Sequence, residues 1–167
     1  MDYLEQLVSE WYEYQGYFVQ RNLWVGLEVD GSYECELNIV AYHPTKNRVV
    51  QIEPTADFLN WTKREEHFQV KFDAGRKYLH RMFAAEPTPA IEQIALMDIP
   101  GDLHQRIVAG GRIVLLSELL GSIIAKFRTF SMASYEVPEQ WPLLKTLQYV
   151  AAYRDAIFAA SPGGQKA

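Results

Sequence analysis

The sequence predicts an α/β fold built on a mixed central sheet flanked by helices. Three observations predict it. Residues 31–42 and 48–53 alternate polar and apolar side chains with the period of two that marks a strand, on either side of a short turn. Residues 56–83 then switch to apolar spacings of three and four, the helical period. Apolar runs at 90–99, after Pro87 and Pro89, and at 112–116 return to strand character. Hairpin pairing therefore comes first and a helical crossover follows, an order that joins antiparallel and parallel strands in one sheet.

Taken in order, Leu4, Leu7, Val8, Trp11 and Tyr12 recur at helical spacing, with Glu5, Glu10 and Glu13 off that face. Asp2 is a suitable N-cap and Gly16 a suitable stop. Tyr17-Phe18-Val19-Gln20 reads as a short strand. In the longer strand at 31–42, Cys35, Leu37 and Ile39 take the apolar side, while Glu34, Glu36 and Asn38 share the other. His43-Pro44-Thr45-Lys46-Asn47 is a turn, and Pro54 is expected to end the returning strand. Along 56–83, Trp61, Phe68, Phe72, Leu79 and Met82 form the apolar stripe, with Gly75 among them. Lys63, Arg64, Lys71, Arg76, Lys77 and Arg81 outnumber Glu65, Glu66 and Asp73, so this is the one clearly basic element.

Residues 102–108 read as a short helix ended by Gly110-Gly111, followed by a strand over 112–116. Ser117 is expected to cap a helix running to about Arg128, with Leu119, Leu120, Ile123, Ile124 and Phe127 on its apolar face. Trp141-Pro142 opens a last helix through Leu144, Leu147, Val150, Ala151, Ile157 and Phe158. The expected organisation is one domain over 1–160 with a disordered tail at 161–167.

Composition narrows the function classes. With 167 residues, 49% hydrophobic and 13% aromatic, the chain can build a core and is not an intrinsically disordered one. Its single cysteine excludes an intrachain disulfide and a cysteine-based zinc site. No apolar run reaches the roughly 18 residues of a membrane span, and the acidic, amphipathic start is unlike a secretory signal, so a cytoplasmic location is expected. A net charge of −5 argues against a protein that coats nucleic acid, leaving only the local basic face of 63–81. His43, His67, His80 and His104 lack metal-ligand spacing, and Gly101, Gly110 and Gly111 form no phosphate loop. Ser117 lies in Leu-Leu-Ser-Glu-Leu, not in a nucleophile elbow.

The chemistry-bearing stretch is Glu34-Cys35-Glu36-Leu37-Asn38-Ile39-Val40-Ala41 and, across the turn, Gln51-Ile52-Glu53-Pro54-Thr55. Acidic and amide side chains on one face of two neighbouring strands can converge. Carboxylates brought close together repel, and a hard divalent cation such as Mg²⁺ relieves that repulsion. Such an ion also activates water and stabilises a phosphorus centre under attack.

The order α-β-β-β-α-β, with Asn38-Ile39-Val40-Ala41 on one strand and Ile52-Glu53-Pro54-Thr55 ending the next, resembles the core of the restriction-endonuclease-like, PD-(D/E)xK nuclease superfamily. The resemblance covers roughly residues 1–100 and implies a restriction-endonuclease-like core with additional C-terminal helices. It implies metal-dependent hydrolysis of DNA phosphodiesters, with Mg²⁺ as cofactor and DNA as partner. On this resemblance Glu36, Asn38 and Glu53 hold the metal and, with Lys71, form the catalytic set. Lys63, Arg64 and Lys71 meet the nucleic acid, with Lys71 or Arg64 facing the scissile phosphate. Glu10 or Glu13 corresponds to the additional early-helix glutamate of the superfamily.

Two positions depart from the pattern. Asn38 stands where the superfamily has a metal-binding Asp, and Thr55 stands where it has Lys. An altered or weakened site follows, and two other readings stay open. One is a catalytically silent member that binds nucleic acid or a protein partner. The other is an oligomeric structural protein whose exposed Tyr and Trp make subunit contacts.

Overall fold

The computed structural model describes residues 3–55, 60–83, 87–99, 103–128 and 136–159. The chain forms two compact units, Met1–Glu118 and Leu119–Ala167. The first unit carries a six-stranded mixed sheet and the helices that position the candidate site. In chain order it runs α1 (Tyr3–Tyr14), β1 (Phe18–Leu27), β2 (Tyr33–His43), β3 (Arg48–Thr55), α2 (Trp61–Met82), β4 (Ala90–Met97), β5 (Ile107–Val108) and β6 (Gly111–Leu115).

The strands lie in the order β1-β2-β3-β4-β6-β5. β1, β2 and β3 pair antiparallel, while β4 is parallel to β3 and β6 parallel to β4. Hairpins therefore make one half of the sheet and the α2 crossover starts the other, as the sequence pattern requires. Asn47 takes a left-handed conformation, φ 45°, that lets the β2–β3 turn close.

Side-chain alternation assigns the two faces. On β3, Gln51 points at Gly75 of α2, and on β4 Gln93 donates to the Phe72 carbonyl of α2. Glu92, next to Gln93, lies near Tyr12 of α1 and influences its ionisation. Neighbouring residues of one strand face opposite ways, so α1 and α2 cover opposite faces of the sheet. Between α2 and the sheet, one core cluster gathers Val25, Cys35, Leu37, Val40, Val49, Ala74 and Leu79. A second gathers Phe68, Phe72, Ala95, Met97, Val108, Ile113 and Leu115.

Several expectations are corrected. β1 spans ten residues rather than four, because β2 gives it a full-length partner. Pro54 does not end β3, which continues to Thr55. The carbonyls of Asn47 and Thr55 point to the β4 side, so by alternation the Pro54 nitrogen faces the β2 side, where the ladder has already ended at Ile52. No hydrogen bond is lost by its missing N–H. α2 begins at Trp61 behind an N-cap, Asn60, whose side chain accepts the Lys63 N–H at 3.0 Å; residues 56–59 lie outside the described residues. Trp61 is partly buried against the second cluster, but Met82 is 53% exposed, and Phe83, one residue on, takes the core position beside Tyr42.

The expected helix at 102–108 is absent among the described residues: Ile107–Val108 is a strand paired with Gly111 and Arg112. Ala109 and Gly110, with φ 49° and 81°, make a two-residue turn whose left-handed conformations match the right-handed twist of the paired strands. Ser117 is not a cap. Helix α3 (Leu116–Arg128) starts before it, and Glu118 fills that role by accepting the Leu115 N–H at 3.0 Å.

In the second unit, α3 buries Ile123 and Phe127, while Leu119, Leu120 and Ile124 are only half-buried. Helix α4 (Pro142–Ala159) opens with Pro142, as expected, and buries Leu144 and Ala151. Gln148 of α4 accepts the Val137 N–H at 3.1 Å. Among the described residues no helix is long and apolar enough to cross a membrane.

At Gly75, α2 comes close to the sheet. A Cβ there would lie 1.8 Å from Gln51 Oε1. Gln51 cannot retreat, because its amide is bonded to Glu53, to the Lys71 carbonyl and to Gln93. Gly75→Ala should therefore cost about 2 kcal/mol in urea unfolding, overpacking outweighing the gain in helix propensity. An unchanged or raised stability would show that Gln51 is free to move.

Candidate functional site at the strand fork

The site exists because β2 and β3 part company. Their ladder ends at Ile39 opposite Ile52. β3 continues against β4 to Thr55, and β2 continues against β1 to Tyr33. Asn38 and Glu53 would have been the next pair. Instead, the Asn38 main-chain N–H donates to the Glu53 carboxylate, Oε2, at 3.2 Å. A side chain here substitutes for a strand partner. The strict alternation of β2 breaks at the same place, since Leu37 and Val40, three residues apart, belong to one core cluster.

Glu53 is the centre of the site and is 1% exposed. Its Oε1 accepts from Gln51 Nε2 at 2.8 Å, and Lys71 Nζ lies 3.8 Å from its Oε2. Burial is the largest influence on its ionisation and pushes its pKa up from 4.5 to about 7. The Gln51 hydrogen bond, the Lys71 charge and the Asn38 N–H pull it down by less, and the Glu5 charge adds to the rise.

Lys71 reaches the fork from α2. Its ammonium donates to Asn38 Oδ1 at 2.9 Å and to the Glu36 carbonyl. The Asn38 amide is held from its other end by α1, where Glu5 Oε1 accepts from Nδ2 at 2.5 Å. Glu5 thereby fixes which way the amide faces: nitrogen toward α1, oxygen toward Lys71. Behind Glu53 runs a chain of amides. Gln93 Nε2 donates to Gln51 Oε1 at 2.7 Å, and Arg76 Nη1 donates to Gln93 Oε1 at 2.6 Å. Glu5 also lines a cavity of about 540 Å³ with Val19, Gln20, Arg21 and Asn22, which opens beside the fork.

Of the residues singled out in the sequence, the structure brings Asn38, Glu53 and Lys71 together. Glu36 contributes its main-chain carbonyl to Lys71. Glu34 is drawn away to Lys77 and Tyr78 of α2. Lys63 is exposed and Arg64 half-buried in the first turn of α2, about two helical turns before Lys71. Thr55 accepts the Asp98 N–H through its carbonyl on the β4 side, and the ammonium 3.8 Å from Glu53 is that of Lys71.

The helix glutamate that contacts the fork is Glu5. Glu10, expected off the apolar face, is 4% exposed and accepts from Gln6, while Glu13 is exposed. Sequence reasoning missed Glu5, Gln51 and Gln93. Gln51 left a signal, a polar residue inside the apolar run Val49-Val50-Gln51-Ile52. Glu5 left none, because a glutamate beside an apolar helical stripe is the usual pattern of a solvated face.

The donor set suits a small, hard cation: the Glu53 carboxylate, the Asn38 amide oxygen and the Glu36 carbonyl all lie around one point where a positive charge already sits. Among the described residues there is no group of three or more His, Cys, Asp or Glu that could hold a metal, so Asn38 and a carbonyl would have to complete the shell. Comparison with protein-family models, curated proteins and solved structures finds no match. The chemistry of the fork itself therefore carries the functional argument.

The ionisation of Glu53 gives a pH prediction. The folded chain holds the Glu53 proton more tightly than the unfolded chain, with a pKa of about 7 against 4.5. The stability linked to that proton is present in full below about pH 4.5 and is lost as the pH rises through 7. Between pH 5 and 8 the wild type should lose on the order of 3 kcal/mol from this group, and Glu53→Gln should remove that slope. Urea unfolding of both proteins across this range checks it. Parallel pH curves would show that Glu53 ionises normally.

Proposed function

We propose that the chain is a nuclease-like protein with a restriction-endonuclease-like core, acting on the phosphodiester backbone of DNA at the β2–β3 fork through a weakened metal site. The observation that carries this proposal is the meeting of Asn38, Glu53 and Lys71 from three different elements at one point. The α-β-β-β-α-β order of the first unit, with helices on both faces, supports it further.

Each side chain has a defined task. Lys71 presents an ammonium that neutralises a phosphate oxygen. Glu53, once ionised, offers a carboxylate to the ion; its ion-free pKa of about 7 means that proton and ion compete for it near neutral pH. Glu5 orients Asn38. Mg²⁺ would be held by Glu53, Asn38 and the Glu36 carbonyl, supplying neutralisation of charge and a more acidic water. An amide oxygen carries no net charge, so Asn38 binds the ion less strongly than Asp would.

One observation favours a second reading, a catalytically silent member that binds DNA or another partner. Lys71 fills the fork with its own ammonium, which donates to Asn38 Oδ1 and the Glu36 carbonyl.

The deciding experiment incubates single- and double-stranded DNA with the protein in low salt with Mg²⁺ or Mn²⁺. Slow cleavage is expected, abolished by Glu53→Gln and raised at least about tenfold by Asn38→Asp, which restores roughly 1.4 kcal/mol or more of transition-state stabilisation. Arg64→Ala combined with Lys71→Ala should weaken DNA binding and flatten its salt dependence by about two units of slope. Binding without cleavage selects the silent member. Neither binding nor cleavage overturns the proposal.

A further inference from the structure

We propose that Lys71 is a tethered competitor for the divalent cation, held in the cation position of the fork until phosphate draws it out. The inference rests on the fork being a cation site, as argued above. A lysine ammonium has three N–H donors and no acceptor. Here three oxygens surround it: it donates to Asn38 Oδ1 at 2.9 Å and to the Glu36 carbonyl, and Glu53 Oε2 lies 3.8 Å away, at ion-pair and not hydrogen-bond distance. Two of these come from β2 and one from β3, so the ammonium bridges the parted strands. The Lys71 side chain is only 14% exposed, which leaves water little part in its solvation.

The same oxygens are the ones a divalent ion needs. Two cations cannot share them, because like charges a few ångströms apart in a poorly hydrated pocket repel strongly. Lys71 must therefore leave before the ion can enter. Its flexible four-carbon stem allows it to swing, and an incoming phosphate offers new acceptors. Phosphate would draw the ammonium out and a divalent ion would replace it, so each ligand raises the affinity for the other. Glu5 contributes by keeping the Asn38 oxygen turned toward this position in both states. In the resting protein the site is neutralised from within, and substrate loads it.

The test uses Mn²⁺ and Mg²⁺ alone, with no activity assay. In ¹H–¹⁵N spectra of the full chain, the Lys71 ammonium should give a slowly exchanging signal without metal and lose that protection as Mg²⁺ saturates the protein. By calorimetry, Lys71→Met should bind Mn²⁺ at least tenfold more tightly than the wild type, whereas Lys126→Met, an exposed lysine of α3, should stay within twofold. An unchanged Lys71 signal at saturating Mg²⁺, or equal Mn²⁺ affinity in Lys71→Met and wild type, overturns the competitor role while leaving the nuclease proposal standing. Absence of Mn²⁺ binding in wild type, in Lys71→Met and in Lys71→Met with Asn38→Asp overturns both. The spectroscopic arm needs no substitution, so it decides even if Lys71→Met fails to fold.

Discussion

One hydrogen bond, from the Asn38 main chain to the Glu53 carboxylate, holds the arrangement together. Two antiparallel strands that separate leave N–H and carbonyl groups without partners, and burying them unpaired would cost as much as losing the bonds. Glu53 meets part of that need with a side chain. In doing so it becomes buried, and burial is what lifts its pKa toward neutrality. A structural requirement of the sheet thus produces a group with acid–base character, and the remaining contacts of the fork follow from stabilising it.

Those contacts have a clear hierarchy. Glu53 needs donors, and Gln51 and Asn38 supply them, while the Lys71 charge lies 3.8 Å away. Gln51 needs space, and Gly75 gives it by bringing α2 close to the sheet with no Cβ. Gln93 fixes the Gln51 amide, and Arg76 fixes Gln93. Each buried polar group is satisfied by the next until the chain reaches the surface, where Arg76 pairs with Asp73. Such a network gives a single orientation to every amide, which an apolar core of similar volume would not.

Much of the first unit could be read from residue patterns, because two periodicities are strong there. Alternation located β2 and β3, and the spacing of Phe68, Phe72 and Leu79 located α2. Asn38, Glu53 and Lys71 were singled out through the resemblance to the nuclease superfamily, which the periodicities alone do not supply. What could not be read depended on tertiary partners. Glu5 is an ordinary helix-surface residue until α1 is docked on the sheet. The continuation of β3 through Pro54 depends on which neighbour each side of the strand has. The strand at Ile107–Val108 depends on a left-handed Ala109, a conformation its residue type does not advertise. The phase break in β2 is hidden because Ile39-Val40-Ala41-Tyr42 is apolar throughout, so either phase fits the sequence.

Pro54 has a consequence for the permanence of the cleft. Strands that separate can zip together again if donors and acceptors still face each other across the gap. On the β2 side of β3, the residue after Ile52 that would offer a donor in this direction is Pro54, which has none. Re-zipping would leave a β2 acceptor unanswered, so the ladder has a fixed end stop. The opening at Asn38 and Glu53 is therefore written into the covalent structure of the chain and does not depend on a ligand to wedge it apart. The same missing donor deters a foreign extended segment from adding to β3 there.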